Sequence, residues 1–589
     1  MDLKGAFIPL TAWKQVFKTP HTLPVPQEKR EASDRYRGFH TNEVEVCIGC
    51  GNCSEICMNK AIDMVNVDGI EPSKGDSGLR PLIDYGRCCW CALCVDVCPT
   101  ASLEMSKEYS WVRDNPEDFR YIPGIDHKEF FEAPGYQSEL DYSLVDLLRV
   151  PMRQMDPVER VEDKPWAEAI LGYNEEEARK EAERCLGCGL CISACPDTMH
   201  IPDYINAIAD GDYEKAVNLF YDTNVMPEMC GKVCTRQCET VCPVGKNGDP
   251  LAIRWLKRFA SEQFEDLTKV VKTEKVEPKG KKIAVIGAGP SGLTVGYYLA
   301  QKGYEIKIFE AFPHAGGMTM AGIPKYRFPY GSLNKQIDLV KSVGVEIEYN
   351  HWVDKDEFVK LREEYDALFL GVGLRDAWGL DAPGDDLPQV ISALQLLIDV
   401  NLGNDVTVGE KVVVVGGGNV AMDGARVSRR LGADVIISYR RRLEDMPADY
   451  EEIEEGMEEG VVFETQTIPL RVESLGEGKV RFFYGKANMV DQGPGQRPKP
   501  VLIEGEEYYH DVDRVIAAIG QAPKLDFIPK ELAEQIVKRN KLAVDENGMT
   551  AVEGIFAGGD ISNRVADAVS AISDGLNAVK GIDKYLSSK

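Results

Sequence analysis

All 17 cysteines of this 589-residue chain lie between Cys47 and Cys242. Most of them are separated by only two or three residues, and none occurs after Cys242. Disulfide bonds are the usual explanation for many cysteines. An odd number at such short spacing, behind an N-terminus that lacks a secretory signal, instead favours metal ligands in a reducing compartment. We therefore expect a cytoplasmic protein whose cysteines hold metal.

The first two cysteine runs share the spacing Cys-x2-Cys-x2-Cys-x3-Cys. This duplicated spacing is that of a bacterial two-cluster ferredoxin, in which three cysteines of one run and the last cysteine of the other hold each 4Fe-4S cluster. Zinc is the alternative, but it requires one set of four ligands and not two interleaved sets. Quartet 1 is therefore Cys47, Cys50, Cys53 and Cys98, and quartet 2 is Cys57, Cys88, Cys91 and Cys94. Cys89 belongs to neither quartet and is interpreted as a buried apolar residue.

Eight further cysteines occupy a short stretch in the middle of the chain: Cys185, Cys188, Cys191, Cys195, Cys230, Cys234, Cys238 and Cys242. The last four follow one another at intervals of four residues, which keeps them on one face of a helix. A packed stripe of small apolar side chains is the alternative interpretation. So many cysteines in so short a stretch make that alternative the weaker one, and we expect a second cluster-binding domain.

Changes of composition along the chain predict several domains. We expect an arm at residues 1–40, a ferredoxin-like domain at 41–110, a linker at 111–165 and a helical cysteine domain at 166–265. After a tether rich in lysine and glutamate, the pattern changes to alternating strands and helices. The overall prediction is a multidomain protein that combines an α+β two-cluster ferredoxin, an α-helical iron–sulfur domain and two α/β Rossmann-like domains.

The first Rossmann pattern runs from an apolar strand into Gly287-x-Gly289-x-x-Gly292, then a helix and a second strand that ends at Glu310. Glycines at these positions let the backbone turn tightly and approach a pyrophosphate at the helix N-terminus, while the terminal acid accepts a hydrogen bond from a ribose hydroxyl. A glycine-rich turn without a ligand is the alternative. Because strand, helix and acid follow in register, we expect a dinucleotide here.

The second Rossmann pattern has its own glycine fingerprint, and its second strand ends in three arginines with no acid. Arginine at that position suits a 2′-phosphate, which favours NADP(H) over NAD(H); a solvated basic loop is the alternative. Two such folds in series typically bind a flavin and a nicotinamide. Candidate binding residues of the second fold are Gly416, Gly418, Asn419, Ala421, Arg440 and Arg441.

Motifs across both halves match one known family. They include Gly172-Tyr173, Ile201-Pro202, Cys230-Gly231-Lys232-Val233-Cys234, Gly316-Gly317, Gly322-Ile323-Pro324, Met446-Pro447 and Gly554-Ile555-Phe556-Ala557-Gly558-Gly559-Asp560. On these residues, positions 150–589 resemble the glutamate synthase small-subunit family, to which the flavin subunit of NAD(P)H-dependent ferredoxin:NADP oxidoreductase belongs. The resemblance implies that residues 281–390 and 510–589 form an FAD-binding domain, with an NAD(P)-binding domain inserted at 391–509.

The same resemblance implies functional residues. Gly317, Arg327 and Asp560 would contact FAD, with Asp560 on the ribityl chain and a helix from about Val565 pointing its N-terminus at the flavin ring. Quartet 3 would be Cys185, Cys188, Cys191 and Cys242. Three ligands of quartet 4 would be Cys195, Cys234 and Cys238, and Cys230 is the candidate for the fourth. Relatives carry Gln or Glu where this chain has Lys257-Arg258.

The sequence before quartet 1, Arg35-Tyr36-Arg37-Gly38-Phe39-His40, resembles the ferredoxin-like subunit of complex I. That resemblance covers about residues 30–110 and implies a docked electron relay. A net charge of −28 argues against nucleic acid as a partner, and no run of 18 apolar residues predicts a transmembrane segment.

Together these features predict an oxidoreductase subunit in a hetero-oligomer. It would carry FAD, NADP (or NAD) and up to four 4Fe-4S clusters, and would exchange electrons between NAD(P)H and ferredoxin or a larger catalytic subunit. No catalytic side chain is expected, because hydride transfer to a flavin needs close stacking and no protein acid or base. Alternatives are a glutamate synthase small subunit, an electron-bifurcating NAD(P)H:ferredoxin oxidoreductase, and a cluster-bearing redox sensor without turnover.

Overall fold

The computed structural model describes residues 30–70, 72, 75–111, 113–126, 134–138, 147–246, 248–273, 276–493 and 496–589, with positions 18, 22 and 28. Most of the predicted N-terminal arm, and part of the predicted linker, lie outside the described residues. The chain divides into two compact units. The first comprises Met1–Leu148 and Val241–Pro250, and the second comprises Arg149–Thr240 and Leu251–Lys589. Residues 241–250 therefore belong with the first unit, although they lie inside the range predicted for the helical cysteine domain.

The first compact unit contains short strands and single helical turns. They are β1 (His40–Asn42), α1 (Asn52–Glu55), β2 (Ile62–Asn66), β3 (Leu79–Asp84), α2 (Leu93–Asp96), β4 (Leu103–Met105) and β5 (Arg120–Tyr121). β1 pairs antiparallel with β4, and β2, β3 and β5 form an antiparallel sheet. Each helical turn begins after a residue in the left-handed conformation, Gly51 (φ 83°) before α1 and Ala92 (φ 66°) before α2. The two turns therefore repeat one local geometry.

The second compact unit begins with helices. After a short π-helix at Glu159–Asp163, they are α3 (Glu175–Ala182), α4 (Leu190–Ala194), α5 (Ile201–Asp210), α6 (Tyr213–Tyr221), α7 (Pro227–Val233), α8 (Gln237–Thr240) and α9 (Ile253–Glu262). Asn174 begins α3 with a capping box to Glu177. α7 and α9 approach closely at Gly231, where a Cβ would lie 2.7 Å from the Arg258 backbone nitrogen. Glycine is needed there because any side chain would push the helices apart.

The remaining elements follow in chain order. The first group is β6 (Lys282–Ile286), α10 (Pro290–Ala300), β7 (Glu305–Phe309), α11 (Met318–Ala321), α12 (Tyr330–Ser342), β8 (Glu346–Glu348), α13 (Lys355–Glu364), β9 (Ala367–Leu370) and β10 (Asp376–Ala377). The second group is β11 (Val390–Ser392), α14 (Ala393–Leu402), β12 (Lys411–Val415), α15 (Asn419–Arg430), β13 (Asp434–Tyr439), α16 (Tyr450–Glu458), β14 (Val462–Thr465), β15 (Thr467–Gly476), β16 (Lys479–Val490), β17 (Lys499–Val512), β18 (Arg514–Ala517) and β19 (Gln521–Ala522). The third group is α17 (Lys530–Ile536), β20 (Val537–Lys538), β21 (Lys541–Leu542), β22 (Ile555–Ala557) and α18 (Ala568–Ser587).

Two parallel five-stranded sheets dominate this half of the second unit. Their strand orders are β22-β9-β6-β7-β8 and β11-β18-β12-β13-β14, and β15, β16 and β17 form a separate antiparallel sheet. Strands β6 and β12 are apolar and buried along most of their length, as central parallel strands are when helices cover both faces. The sheet around β6 is completed by β22 from near the C-terminus. The second Rossmann fold is thus inserted into the first.

The boundary of that insertion differs from the predicted one. The sequence placed residues 510–589 in the FAD-binding domain, yet β18 pairs with β11 and β12 in the second sheet. Sheet pairing of the second fold therefore extends to Ala517, because a parallel strand can complete a sheet from far along the chain. No helix among the described residues is long and apolar enough to cross a membrane.

Candidate cofactor sites

Two cavities in the first compact unit are lined by cysteines. Quartet 1 lines one of them, and quartet 2 together with Cys89 lines the other. Each cavity brings together three cysteines of one run with the last cysteine of the other, which is the grouping that the spacing predicts. Within the described residues, no three His, Cys, Asp or Glu side chains converge in the way that a single metal ion requires. The thiols surround a space, and the roles of the individual cysteines as ligands stay a prediction.

The quartet 2 cavity lies near the protein surface. Cys91 is exposed, and Met58 beside the cavity is 79% exposed. Cys89 is also exposed, so its interpretation as a buried apolar residue is wrong. Burial raises the pKa of Cys88 to about 11 and that of Cys94 to about 12, and neighbouring thiols contribute to both shifts. Such thiols ionise when a bound cation compensates their charge, which is the chemistry that iron supplies.

The short segment that follows Cys242 contacts Cys47, which lines the quartet 1 cavity. Lys246 donates a hydrogen bond from Nζ to the Cys47 carbonyl at 3.0 Å and lies 3.5 Å from the Asp76 carboxylate. A Cβ at Gly75 would lie 2.9 Å from the Cys242 carbonyl oxygen. The residues that begin at Cys242 therefore pack against the first cysteine run.

Four cysteines of the helical region share one buried neighbour. The Lys257 ammonium on α9 interacts electrostatically with Cys230, Cys234, Cys195 and Cys238; burial opposes its charge, yet these sulfurs raise its pKa. Cys230 is buried, and its Sγ accepts a hydrogen bond from Asn224 Nδ2 at 3.3 Å. Cys230 thus interacts with the same lysine as the three cysteines that the resemblance grouped, and its role as the fourth ligand stays a prediction.

The cysteines of quartet 3 are divided between the two compact units. Cys185, Cys188 and Cys191 lie before and within α4, all of them partly exposed. Cys242 is buried and belongs to the segment of the first unit. Their assignment to one cluster stays a prediction.

A cavity of about 300 Å³ lies at the carboxyl ends of β6 and β7. This is the edge of a doubly wound sheet at which ligands bind. Predicted binding residues that line it are Gly287, Gly289, Glu310, Gly317, Arg327, Asn419 and Asp560. Predicted residues that do not line it are Gly292, Gly416, Gly418, Ala421, Arg440 and Arg441.

The three glycines of the first fingerprint, Gly287, Gly289 and Gly292, have different structural roles. Gly287 has φ 99°, a left-handed value that favours glycine. A Cβ at Gly292 would lie 2.0 Å from the Gly287 carbonyl oxygen, so this glycine lets α10 approach β6. A Cβ at Gly289 would meet no protein atom closer than 3.8 Å, so no protein atom would clash with it. Room for a pyrophosphate is therefore kept at Gly289.

Glu310 closes the opposite side of this phosphate turn. Its Oε2 accepts a hydrogen bond from the Ala288 backbone nitrogen at 2.7 Å, and its Oε1 accepts from Phe312 at 2.8 Å. Burial raises the pKa of this carboxyl group, while the two amides act in the opposite direction. Each oxygen keeps a further lone pair for a ribose hydroxyl, which is the role that the sequence predicted.

Asp560 supplies an unpaired acceptor at the cavity. Its Oδ1 is buried and has no hydrogen-bond partner in the described part of the chain. Burial raises the pKa of this carboxyl to about 6, and nearby Asp567 adds to the shift. Buried polar atoms without a partner are rare in proteins, so a hydroxyl-bearing ligand is expected here. The ribityl chain of a flavin fits that requirement.

Helix α18 begins at the same cavity. Its N-cap is Asp567, whose side chain accepts from the Ser570 backbone nitrogen, and its first residues line the cavity wall. The helix starts at Ala568, three residues later than the predicted position. Its N-terminus carries a partial positive charge, which favours negative charge on a ligand there.

The cysteine helices also reach this cavity. Val233 and Thr235, on either side of Cys234, form part of its wall. Thr235 Oγ1 lies 3.2 Å from Asp567 Oδ2, and Ser573 Oγ on α18 donates to the Pro196 carbonyl at 2.9 Å. Sequence reasoning missed Thr235, although its position next to a predicted ligand was a usable signal. Residues on either side of Cys234, a cysteine of quartet 4, thus line the same cavity as the first Rossmann fold.

Arg327 is held by carboxylates of the second Rossmann fold. Its Nη1 donates to Asp423 Oδ1 at 2.7 Å, and its Nε pairs with Glu452 Oε1 at 2.9 Å. Although burial opposes the charge, these carboxylates raise the pKa of the guanidinium. Asp423 lines the cavity too, and nothing in the fingerprint spacing singled it out. Arg327 therefore joins the two folds beside the cavity, and its contact with FAD stays a prediction.

The second Rossmann fold presents a more open turn. A Cβ at Gly418 would meet nothing nearer than Pro447 at 3.9 Å. Asn419 Oδ1 accepts from the Asp449 backbone nitrogen at 2.8 Å. Arg440 is exposed, whereas Arg441 donates from Nε to the Pro498 carbonyl at 2.8 Å. Both arginines lie outside the 300 Å³ cavity.

Ion pairs join this fold to the cysteine helices. Arg236, which lies between two predicted ligands, pairs with Asp449 and Glu451, and Arg254 pairs with Glu451. Arg254 Nη1 also donates to the Cys234 carbonyl at 3.3 Å. Burial opposes ionisation of Glu451, but Arg254 and Arg236 hold its pKa below the ordinary value. The start of α16 is thus tied to the loop of quartet 4.

Comparison with known protein families assigns each region. A pyridine nucleotide-disulphide oxidoreductase model matches residues 281–575. A model of dihydropyrimidine dehydrogenase domain II with its 4Fe-4S cluster matches residues 162–268, and a 4Fe-4S dicluster model matches residues 46–102. The fold and these matches define a class of protein that combines iron–sulfur clusters, a flavin and a pyridine nucleotide.

Curated relatives agree with these matches. The chain is 36% identical to the NADPH-Fe(3+) oxidoreductase subunit beta of Geobacter sulfurreducens, over 67% of this chain and 63% of the relative. It is 36% identical to the NADP(+)-dependent formate dehydrogenase subunit beta of Moorella thermoacetica, over 67% and 60%. It is 31% identical to the glutamate synthase [NADPH] small chain of Escherichia coli, over 76% and 98%. The chain thus spans less than two thirds of the length of the first two relatives.

The chain belongs to the pyridine nucleotide-disulphide oxidoreductase family. The predicted resemblance to the glutamate synthase small chain is confirmed, and so is the predicted combination of ferredoxin-like and Rossmann-like domains.

Proposed function

We propose that this chain is the NADPH-facing subunit of a larger cytoplasmic oxidoreductase. It passes electrons between NADPH and either ferredoxin or a partner catalytic subunit, through FAD and up to four 4Fe-4S clusters. The observation that carries the proposal is the cavity of about 300 Å³, whose wall includes Gly289, Asp560 and Thr235. One wall thus combines a phosphate turn, an unpaired carboxylate oxygen and the backbone beside a predicted cluster ligand.

The first Rossmann fold is proposed to hold FAD. Gly287, Gly289 and Gly292 let the backbone approach the pyrophosphate, and Glu310 accepts from the adenosine ribose. Asp560 accepts from the ribityl chain, while Gly317 and Arg327 form the wall around it. When bound, FAD would supply the exchange between hydride transfer, which moves two electrons, and iron–sulfur clusters, which take up one.

The second Rossmann fold is proposed to hold NADPH. Gly416, Gly418 and Ala421 form its phosphate turn, and Asn419 stands where α15 begins and also lines the shared cavity. Arg440 and Arg441 are proposed to contact the 2′-phosphate. Support comes from the absence of an acid at the end of β13, where an NAD-binding fold would carry one.

The four quartets are proposed to hold one 4Fe-4S cluster each. Support for quartets 1 and 2 comes from the cavities that they line, and support for Cys230 in quartet 4 comes from the lysine that it shares with Cys195, Cys234 and Cys238. The residues of this chain bind, orient and shield the cofactors. No side chain is assigned as an acid or base.

Cysteine variants of the full chain, purified without oxygen, test the cluster assignment. We expect about 16 iron atoms per chain. Cys94→Ser and Cys234→Ser should each lose about four of them, whereas Cys89→Ser, which changes an exposed cysteine outside every quartet, should lose none. An unchanged iron content in both ligand variants would refute the assignment.

Anaerobic titration with NADPH and with NADH tests the enzyme activity. We expect NADPH to bleach the flavin absorbance at lower concentration than NADH. Absence of bleaching by either nucleotide would leave a redox-sensing scaffold as the better explanation.

A glutamate synthase small subunit is the second candidate. The chain covers 98% of the Escherichia coli small chain, which favours this alternative. Mass spectrometry of subunits that accompany the native protein decides between the two, since a large glutamate synthase subunit would identify the second candidate.

A further inference from the structure

His40 lies deep in the first compact unit, at the start of β1. The residue is 1% exposed, and its imidazole lies between the side chains of Cys94 and Tyr85. Nε2 is 3.2 Å from the Cys94 sulfur, and Nδ1 is 2.8 Å from the Tyr85 hydroxyl. The ring therefore bridges a proposed cluster ligand and a buried phenol.

The two contacts require one tautomer. A cluster-bound thiolate can only accept a hydrogen bond, so Nε2 must carry the proton that faces Cys94. A neutral imidazole then has a lone pair at Nδ1, which accepts from the Tyr85 hydroxyl. Neutrality agrees with the surroundings of the ring, because the side chain is buried and contacts no carboxylate in the two hydrogen bonds described here.

Tyr85 is itself held in place. Its hydroxyl oxygen accepts from the His40 backbone nitrogen at 2.8 Å and lies 3.2 Å from the Tyr121 hydroxyl. The Tyr121 hydroxyl lies 3.4 Å from the His40 carbonyl oxygen, to which it can donate. Since the Tyr85 proton is directed at Nδ1, these contacts fix both the position and the tautomer of the imidazole.

The N–H groups around quartet 2 form a set. The Ala61 backbone nitrogen donates to Cys57 Sγ at 3.2 Å, and the Trp90 backbone nitrogen donates to Cys88 Sγ at 3.4 Å. His40 adds a side-chain donor to these two amides. In quartet 1, the corresponding neighbours of Cys98 Sγ are hydroxyls, Ser102 Oγ at 3.5 Å and Thr100 Oγ1 at 3.8 Å.

Hydrogen bonds to cluster sulfurs tune reduction potential, because they stabilise the form that carries the extra negative charge. We infer that His40 is a positioning residue that keeps an N–H on the Cys94 sulfur and thereby raises the reduction potential of the quartet 2 cluster. The inference rests on the proposed function, since it needs a cluster at quartet 2. The reduction adds one electron to that cluster, and no proton leaves or joins His40.

Quartet 2, whose cluster is inferred to have the raised reduction potential, includes an exposed cysteine. Cys91 of quartet 2 is exposed, whereas each cysteine of quartet 1 is buried or only partly exposed. His40 therefore stabilises the reduced form of the quartet 2 cluster, which is the cluster that an external acceptor can approach.

The test is an EPR-monitored redox titration of the full-length, cluster-loaded protein. His40→Phe removes the donor and keeps a ring, and we expect the reduction equilibrium of one cluster to fall about tenfold. For a one-electron couple that change is about 59 mV. His40→Gln, whose Nε2 can still reach the sulfur, should recover part of the loss.

Two further variants separate tuning from structural damage. Tyr85→Phe leaves Cys94 and His40 intact but removes the proton that fixes the tautomer, so we expect a smaller fall in potential. Tyr136→Phe is the matched control, because Tyr136 is a buried phenol of the same unit that donates to Asp96 Oδ1 at 2.7 Å and not to a sulfur. It should leave every potential unchanged.

The outcomes distinguish this inference from the proposed function. If Cys94→Ser keeps its iron and its EPR signals, quartet 2 holds no cluster and the proposed function fails. If Cys94→Ser loses a cluster while His40→Phe and Tyr85→Phe keep wild-type potentials, the cluster exists and the role of His40 is refuted. An equal shift in Tyr136→Phe would also refute it, because a general disturbance of the unit would then be the cause.

Discussion

The two Rossmann folds of this chain share a glycine pattern and differ in their surroundings. The first places its turn on a cavity of about 300 Å³, closed by Asp560, Arg327 and the start of α18. In the second, residues of α14 and α15, including Asn419, reach that cavity, while Gly416 and Gly418 of the glycine turn do not line it. The difference is between a deep site, suited to a resident cofactor, and an open site, suited to a substrate that must enter and leave.

The residues that follow the second strand of each Rossmann fold also differ in burial. β7 leads to Glu310, which is buried and held by two backbone amides. β13 leads to Arg440, which is exposed. A buried acid is positioned before a ligand arrives, whereas an exposed arginine is ordered by the ligand. One motif can therefore serve retention or turnover, according to what the rest of the chain builds around it.

The largest expected effect concerns the attachment of the second fold. Glu451→Ala removes the carboxylate that pairs closely with both Arg236 and Arg254 and leaves Asp449 as their remaining acidic partner, which should cost about 3 kcal/mol of unfolding free energy. Urea denaturation of the purified protein measures this loss. Glu454→Ala removes an exposed charge from the same helix and should change stability by less than about 0.5 kcal/mol. Equal losses in the two variants would show that the ion pairs do not anchor α16.

Alanine substitutions at Gly289 and Gly418 distinguish the functions of the two Rossmann folds most clearly. Gly289 and Gly418 have φ values of −76° and −96°, which alanine adopts without strain, and neither Cβ would meet a protein atom within 3.7 Å. Gly289→Ala should therefore fold normally and bind FAD about 100-fold more weakly, because the methyl group takes the place of the pyrophosphate.

Gly418→Ala should keep its FAD and raise the KM for NADPH. Flavin content per chain and steady-state kinetics measure the two effects. Loss of FAD in Gly418→Ala would break the comparison between a resident and an exchanging site.

Asp560→Asn should act in opposite directions on stability and on cofactor retention. Because burial raises the pKa of Asp560 to about 6, the ionised carboxylate destabilises the folded apoprotein above that pH. Asparagine should therefore stabilise the apoprotein at pH 8 by about 3 kcal/mol, and this gain should shrink as the pH falls from about 6 towards 3.8.

The holoprotein should instead lose FAD more readily, because an amide is a weaker acceptor for the ribityl hydroxyls. Thermal unfolding of apoprotein and holoprotein across this pH range checks both signs. A stability gain that is the same at pH 4 and pH 8 would contradict the assigned cause.

The smallest expected effect concerns the choice of nicotinamide. Arg440→Ala combined with Arg441→Ala should lower kcat/KM for NADPH about 10- to 100-fold by removing charged hydrogen bonds, and should leave NADH almost unaffected. Arg442→Ala is the control, because that arginine already pairs with Asp445. A parallel fall with both nucleotides would argue against a 2′-phosphate contact.

Local spacing made much of this architecture predictable. Cysteine intervals of two and three residues, and glycines between a strand and a helix, constrain backbone and ligand chemistry within a few residues of each other. The interleaved quartets of the first unit, both Rossmann folds and the inserted order of the domains follow from such short patterns and from the family resemblance that they support.

Predictions were wrong where the structure depends on contacts between residues that are distant in the sequence. β18 pairs with β12 more than 90 residues earlier in the chain, so its place in the second sheet was not visible in the local pattern. Cys89 was expected to be buried, but its exposure depends on how the surrounding turns pack. Residues 241–250 belong to the first unit because Lys246 and Cys242 contact residues near position 75.

The sequence by itself determined which residue types are present to bind clusters and dinucleotides. Only the tertiary structure decided how they are used: Asp560 Oδ1 has no hydrogen-bond partner among the described residues, Arg327 is held by Asp423, and His40 is aimed at Cys94. The physical reason is that burial and hydrogen-bond geometry depend on segments that meet only in the folded chain. Those two properties set pKa values and orient donors, and a spacing pattern contains neither of them.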